Sequence, residues 1–115
     1  MQRDDLVYVG HMLDTARKVL GKIEGLGRSE FDGDENLRIA VTHLLQVIGE
    51  AASRVSDEFC ASHPDIPWRD IVGMRHKVVH DYLQVDEDVV WDTATEELGP
   101  LAEALERIAP PDGPA

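Results

Sequence analysis

The sequence lacks several features that would place a protein in a familiar class. Its 115 residues include a single cysteine, Cys60, which excludes an internal disulfide framework. No stretch approaches the roughly 18 consecutive apolar residues of a membrane-spanning helix. The N-terminal segment also lacks the apolar centre of a secretory signal. We therefore expect a cytoplasmic protein that does not enter a membrane.

Basic residues are scarce as well. The chain has 11 Lys and Arg against 23 Asp and Glu, which gives a formal net charge of −12. A charge of this size repels polyanions at long range. Any contact with nucleic acid must therefore depend on a local pocket, a second subunit or a basic partner.

The apolar residues that are present recur at steps of three and four, which is typical of amphipathic helices. This periodicity predicts helix one over about 4–26 and helix two over about 34–60. The glycine-containing segment between them is predicted to be a connection. Pro67 suits the first turn of helix three, which we place at 67–80.

A fourth helix is predicted to begin at the acidic residues 86–88, with a kink or break at Pro100. No period-two pattern predicts strands. Four helices with short connections favour an all-α, antiparallel, up-and-down bundle of four to five helices. The bundle is predicted to be one domain over residues 1–109, and residues 110–115 are predicted to be a flexible tail.

The segment 73–82, GMRHKVVHDY, concentrates basic groups and imidazoles in an otherwise acidic chain. On a continuous helix, Arg75 lies about 40° from the apolar Ile71 and about 140° from His80. A guanidinium at the edge of an apolar face needs a carboxylate, a phosphate or a subunit boundary; Glu50 is one candidate carboxylate. Arg75 and His80 could reach one ligand if the helix ends near His80, if the arginine swings round, or if two chains contribute. The last option favours a symmetric dimer.

Simpler interpretations stay open at this point. Arg75 could be an ordinary ion-paired residue, with His76 and His80 on the surface. These histidines, four residues apart, could also bind a metal, but neither a third ligand nor an H-E-x-x-H pattern accompanies them. Tyr82 could be a packing aromatic, as we expect of Trp91.

Arg75, followed by four residues, His80, one residue and Tyr82, resembles the signature of HEPN-domain ribonucleases. The wider context, with IPW at 66–68 and LGPL at 98–101, resembles the HepT toxin branch of that superfamily. A weaker resemblance extends over VIGEAASRVS in helix two and so covers most of the chain. It implies a HEPN-like bundle with the motif at the end of the third main helix.

The resemblance implies a homodimeric, metal-independent endoribonuclease without a cofactor. It makes Arg75 and His80 catalytic, and His76, Lys77 and Tyr82 residues that bind or position RNA. It further implies a toxin of a type VII-like toxin–antitoxin system. Its partner would be a minimal nucleotidyltransferase antitoxin that can transfer AMP to Tyr82.

These residue types suit RNA cleavage without a metal. An imidazole with a pKa near its reference value of about 6.5 can take or donate a proton at neutral pH, and a guanidinium binds phosphate through two parallel hydrogen bonds. AMP on Tyr82 would add bulk and negative charge to a phosphate-binding cleft. The acidic composition, however, suits an alternative: a non-catalytic helical scaffold or binding subunit that partners a nucleotidyltransferase.

Overall fold

The computed structural model describes residues 3–81 and 84–109; the side chains of Arg3, Arg75, residues 79–81 and Gln84 lie outside the described part. Its helices are α1 (Arg3–Ile23), α2 (Arg28–Asp32), α3 (Glu35–Ser53), α4 (Asp57–Ser62), α5 (Trp68–Val72), α6 (Met74–Val78), α7 (Glu87–Asp92) and α8 (Leu98–Glu106). A π-helical turn, Thr93–Glu97, joins α7 to α8. Strands β1 (Val79–Asp81) and β2 (Gln84–Val85) form a short antiparallel hairpin.

Helices α1, α3 and α8 form the main bundle, with α1 packed between the other two. Asp5, at the start of α1, accepts hydrogen bonds of 2.8 Å from both the backbone N and the Oγ of Ser56, which lies just beyond the end of α3. Where α1 meets α8, Arg17 Nη2 lies 2.6 Å from Oε2 of Glu106, the last residue of α8. The contact of Asp5 with Ser56 makes α1 antiparallel to α3, and the packed helices confirm the predicted all-α bundle.

The core consists of the apolar faces that the periodicity marks out. Val9 in α1, Leu45 and Ile48 in α3, and Leu105 in α8 are completely buried. Leu20, Leu37 and Leu44 pack against the edge of this core and are only partly buried. In the described part of the chain, no helix is both long enough and apolar enough to cross a bilayer.

The predicted connection after helix one contains a short helix instead, and that prediction was wrong. Helix α1 ends at Ile23, and the chain then turns through Gly25, whose φ of 78° is strained for a residue with a side chain. Glu30 Oε1 accepts a 2.6 Å hydrogen bond from the Gly27 amide and so supports the first turn of α2. Helix α2 buries Phe31 completely.

The predicted second helix is also two helices, α3 and α4. Asp34 caps the start of α3 by accepting from the Leu37 amide at 3.0 Å. Ser56 begins α4 in the same way, because its Oγ accepts from the Phe59 amide at 3.1 Å. Since the Ser56 hydroxyl also donates to Asp5, tertiary contact favours a new helix start here over continuation of α3.

The prediction of one continuous helix over 67–80 was wrong in two respects: the helix is interrupted, and it ends before His80. It is divided at Gly73, a residue with low helix propensity, into α5 and α6. Helix α6 ends at Val78, and His80 lies in β1. The motif therefore begins in a helix and continues into a strand.

The fourth predicted helix begins at Glu87, with Asp86 as its cap, and continues past Pro100. Pro100 lacks the N–H that would bond the Glu96 carbonyl, and its ring crowds that carbonyl in a regular α-helix. The wider π-helical turn over residues 93–97 accommodates both effects. The expected irregularity is present, but it lies before the proline and does not end the helix.

Candidate active site

Helix α6 is oriented by two apolar side chains on one of its faces. Met74 and Val78 are 5% and 0% exposed, and α6 packs against α3. His76 and Lys77 are consequently exposed. Since the sequence of α6, MRHKV, contains no carboxylate, this helix is a locally basic site on an acidic protein.

The hairpin brings the second half of the motif back along its own chain. Val79 pairs with Val85 and Asp81 with Gln84, with an irregularity in the register between them. The Asp86 amide donates to the Val78 carbonyl at 2.8 Å, which closes the base of the hairpin. The chain therefore leaves the helical path directly after Val78, and His80 lies in a strand.

This change of path removes one argument for a two-chain cleft. The angle of about 140° between Arg75 and His80 applies only if both residues lie on one continuous helix. Helix α6 ends at Val78, so the separation by helical geometry does not arise. Of the three conditions considered for a shared ligand, the structure shows the first, a helix that ends close to His80.

The predicted site residues divide into those whose side chains the structure describes and those it does not. His76 and Lys77 are described and exposed on α6. Arg75 and His80 are described in their backbone only, and Tyr82 lies outside the described residues. Glu50, the carboxylate considered as a partner for Arg75, has an ion pair of 3.2 Å with Arg54, the residue that follows α3.

Trp91 has the packing role that we expect from the sequence. Its ring centroid lies 5.1 Å from that of Phe31, at an interplanar angle of 43°. The contact joins α7, the helix after the hairpin, to α2.

A cluster of ion pairs surrounds the start of α7, and the sequence motif gives no indication of it. Arg28 in α2 lies 2.8 Å from both Asp32 and Asp88. The hydrogen bond with Asp32, followed by that with Asp88, raises the pKa of the Arg28 guanidinium above its already high reference value. Arg38 in α3 lies 3.6 Å from Glu87. The cluster therefore joins α2 and α3 to the first turn of α7, although these elements are distant in sequence.

Other chemistries gain little support from the described residues. Among them, no group of three or more His, Cys, Asp or Glu side chains is arranged to hold a metal ion. Burial raises the pKa of the Cys60 thiol, and the carboxylates of Asp57 and Asp5 raise it further. A thiol with a raised pKa is a poor nucleophile at neutral pH.

Comparison with known proteins decides the family. The model of the family described as "Ribonuclease HepT-like" matches residues 12–108. This chain belongs to the HepT-like ribonuclease family. The matched range includes α6, the hairpin and the entire segment 73–82, so the HepT-like assignment covers the candidate site as well as the bundle.

Named relatives of this HepT-like chain extend over most of its length. The chain is 31% identical over 101 residues to "Putative RNase TTE0752" of Caldanaerobacter subterraneus subsp. tengcongensis, covering 88% of this chain and 90% of the relative. It is 37% identical over 79 residues to "Probable ribonuclease HepT" of Thermococcus cleftensis, covering 69% and 72%. It is 27% identical over 107 residues to "Putative RNase MJ1380" of Methanocaldococcus jannaschii, covering 93% and 98%. No solved structure matches the chain.

Proposed function

We propose that this HepT-like chain is a metal-independent endoribonuclease and the toxin of a type VII-like toxin–antitoxin pair. The observation that carries the proposal is the family match over residues 12–108, which includes the arginine, histidine and tyrosine of the motif. The relatives named as ribonucleases support the same reaction class. Arg75 and His80 are the proposed catalytic residues.

The proposed reaction uses the RNA's own 2′-hydroxyl as nucleophile. The 2′-oxygen loses its proton and bonds to phosphorus, while the bond between phosphorus and the 5′-oxygen breaks and the leaving oxygen gains a proton. The products are a 2′,3′-cyclic phosphate and a 5′-hydroxyl. In this scheme the His80 imidazole transfers a proton, and Arg75 stabilises the negative charge that develops on the phosphoryl oxygens.

The charge distribution of α6 supports RNA binding at this segment. His76 and Lys77 are exposed on a helix without carboxylates, and we assign them to positioning the phosphate backbone. Because the net charge of the whole chain is −12, attraction to RNA must be local. Binding should therefore be weak and only modestly dependent on salt, because few phosphate contacts release few counterions.

We further propose that the active form is a homodimer with its two motif segments at a shared cleft. Two exposed apolar side chains, one on α3 and one in the hairpin, support a partner surface. Ile39, 61% exposed, directly follows Arg38, and Val85, 40% exposed, lies two residues before Glu87, the ion-pair partner of Arg38. A second copy would cover such residues and add a second set of basic groups.

Control by a nucleotidyltransferase antitoxin is the regulatory part of the proposal. Transfer of AMP to Tyr82 would place a phosphate and a nucleoside beside the residues assigned to RNA binding, and so repel the substrate. Co-expression with a neighbouring nucleotidyltransferase should then raise the intact mass by about 329 Da for each AMP added. Inhibition without any mass increase would instead indicate control by steric binding.

The main experiment compares the purified wild-type protein with a His80→Ala variant on structured and single-stranded RNAs, in the presence of EDTA. We expect cleavage by the wild type and a loss of about 10²- to 10⁴-fold in rate for His80→Ala, the range for removal of a general acid or base. His11→Ala is the matched control, because His11 is an exposed histidine on α1. It should cleave at the wild-type rate.

Two outcomes would contradict the proposal. Undiminished cleavage by a folded His80→Ala protein would remove His80 from the mechanism. If the wild type binds a nucleotidyltransferase stably but leaves all RNAs intact, the alternative of a non-catalytic scaffold subunit would replace the proposal.

A further inference from the structure

The base of the hairpin and the start of α7 share one residue, Asp86. Its amide donates to the Val78 carbonyl at 2.8 Å, and its Oδ1 accepts from the Val89 amide at 3.2 Å as the cap of α7. The first bond belongs to the hairpin and the second to the helix. Any rotation of the first turn of α7 is therefore transmitted to the strands.

Two ion pairs hold that first turn against other elements. Arg38 Nε in α3 lies 3.6 Å from Glu87 Oε2, and Arg28 Nη2 in α2 lies 2.8 Å from Asp88 Oδ1. Glu87 and Asp88 are the first two residues of α7. The turn is thus fixed from two directions by residues about 50 to 60 positions earlier in the chain.

The pair between Arg38 and Glu87 is the better enclosed of the two. The Arg38 side chain is 24% exposed and that of Glu87 is 35% exposed, whereas those of Arg28 and Asp88 are 38% and 79% exposed. Arg38 Nη1 also donates to the backbone carbonyls of Phe31 and Asp32, so its guanidinium is oriented on more than one side. Partial burial reduces solvent screening and fixes such a pair more firmly than an exposed one.

We infer that Arg38 and Glu87 are positioning residues for the hairpin that carries His80, with Arg28 and Asp88 as a second, more exposed support. The inference rests on the proposed function in treating this hairpin as part of the active site. Arg38 need not contact RNA for this role. It acts through Glu87 and Asp86 on the strand whose orientation decides where the His80 backbone lies, and small errors of orientation lower catalytic rates.

A pair of substitutions with opposite charge changes separates positioning from simple electrostatics. Arg38→Gln removes a positive charge and Glu87→Gln removes a negative one, yet both break the same ion pair. If Arg38 served only to attract RNA, the first variant would raise KM for RNA and the second would lower it. If the pair positions the hairpin, both variants lower kcat. The two effects on kcat then have the same direction, although the two substitutions change the charge in opposite directions.

We expect each variant to lower kcat about two- to fivefold, a range set by the modest coupling of partly exposed ion pairs. Arg38→Lys, which keeps a cation beside Glu87, should recover most of kcat. Arg17→Gln is the control, because it breaks an ion pair between α1 and α8 and should leave kcat unchanged.

Hydrogen exchange provides a readout that does not depend on the proposed function. In both glutamine variants the backbone amides of β1, β2 and Asp86 should exchange faster, while those in the middle of α1 and α3 keep their wild-type rates. Unchanged exchange at the hairpin in both variants would overturn the inference whether or not the protein cleaves RNA. Opposite shifts in KM for the two variants, with kcat constant, would also overturn it. If no variant or wild type cleaves RNA but hairpin exchange accelerates as expected, the positioning contact stands and the proposed function fails.

Discussion

The main bundle of α1, α3 and α8 and the segment from residue 73 to residue 88 are stabilised in different ways. The bundle buries complete apolar faces, with Val9, Leu45 and Leu105 inaccessible to solvent. The motif segment has a five-residue helix, a hairpin of two short strands and the start of another helix. It is held by Met74 and Val78 on one side, and by a cap and partly exposed ion pairs on the other.

This contrast is the division that the proposed ribonuclease function leads us to expect. Burial of apolar surface supplies most of the free energy of folding, and it is concentrated in the bundle. Elements that bind ligands are commonly drawn from regions of lower local stability. We expect the motif segment to belong to such a region, so changes there should affect activity and local opening more than global stability.

The largest expected effect is in the bundle. Leu45→Ala removes a fully buried side chain from the centre of α3 and should lower the free energy of unfolding by about 2–5 kcal/mol in urea denaturation. Val7→Ala, on α1 at 48% exposure, is the control and should change it by less than about 0.5 kcal/mol. Similar losses in the two variants would contradict the assignment of Leu45 to the core.

A smaller effect should distinguish two equivalent caps. Asp86→Ala removes the cap of α7 and Asp34→Ala removes that of α3; each should cost about 1 kcal/mol of unfolding free energy. Only Asp86 adjoins the hairpin, so only Asp86→Ala should accelerate amide exchange in β1 and β2. Equal acceleration in the two variants would mean that the hairpin opens with the bundle.

Salt should act with opposite signs on the two regions. Added salt screens the repulsion among carboxylates in a chain of net charge −12, which should raise the global free energy of unfolding. The same salt weakens the pairs Arg28–Asp88 and Arg38–Glu87, so the hairpin amides should exchange faster. Parallel changes in both regions would contradict a separate ionic contribution at the hairpin.

The smallest effect concerns Cys60 at the edge of the bundle. Burial and nearby carboxylates raise the pKa of its thiol, so the thiolate fraction at any pH below that pKa is smaller than in an unfolded chain. Alkylation by iodoacetamide at pH 8 should therefore be slower in the native protein than in urea, and its rate should still be rising with pH above the reference pKa. A native rate equal to the unfolded rate would show that α4 leaves Cys60 freely accessible.

Much of the bundle could be predicted from the sequence because the spacing of apolar residues indicates which helix faces are buried. The steps of three and four identify α1, the body of α3, and the long helical run that includes α8. Phe31 was missed because it lies in a segment with glycines that indicates a connection. Its burial depends on α7, since Trp91 packs against its ring.

The candidate site was predictable in its residue types but not in its geometry. A continuous helix to His80 was the simplest extension of the pattern through Ile71, Met74 and Val78. The β-branched and aromatic residues in VVHDYLQV are a signal for strands, but strands of three and two residues are too short for period-two alternation to be distinct. The end of α6 is set instead by the pairing of residues 78–81 with residues 84–86. The spacing of apolar residues does not indicate this pairing.

By itself the sequence determined the family, the helical bundle and the chemical groups of the motif, because these depend on residue type and on local periodicity. Only the tertiary structure decided that α6 ends at Val78, that His80 lies in a strand, and that Arg28 and Arg38 hold the start of α7. The physical reason is that a helix ends, and an ion pair forms, according to which groups meet in space. For the hairpin and its ionic support, those groups come from α2, α3 and α7, which only the folded bundle brings together.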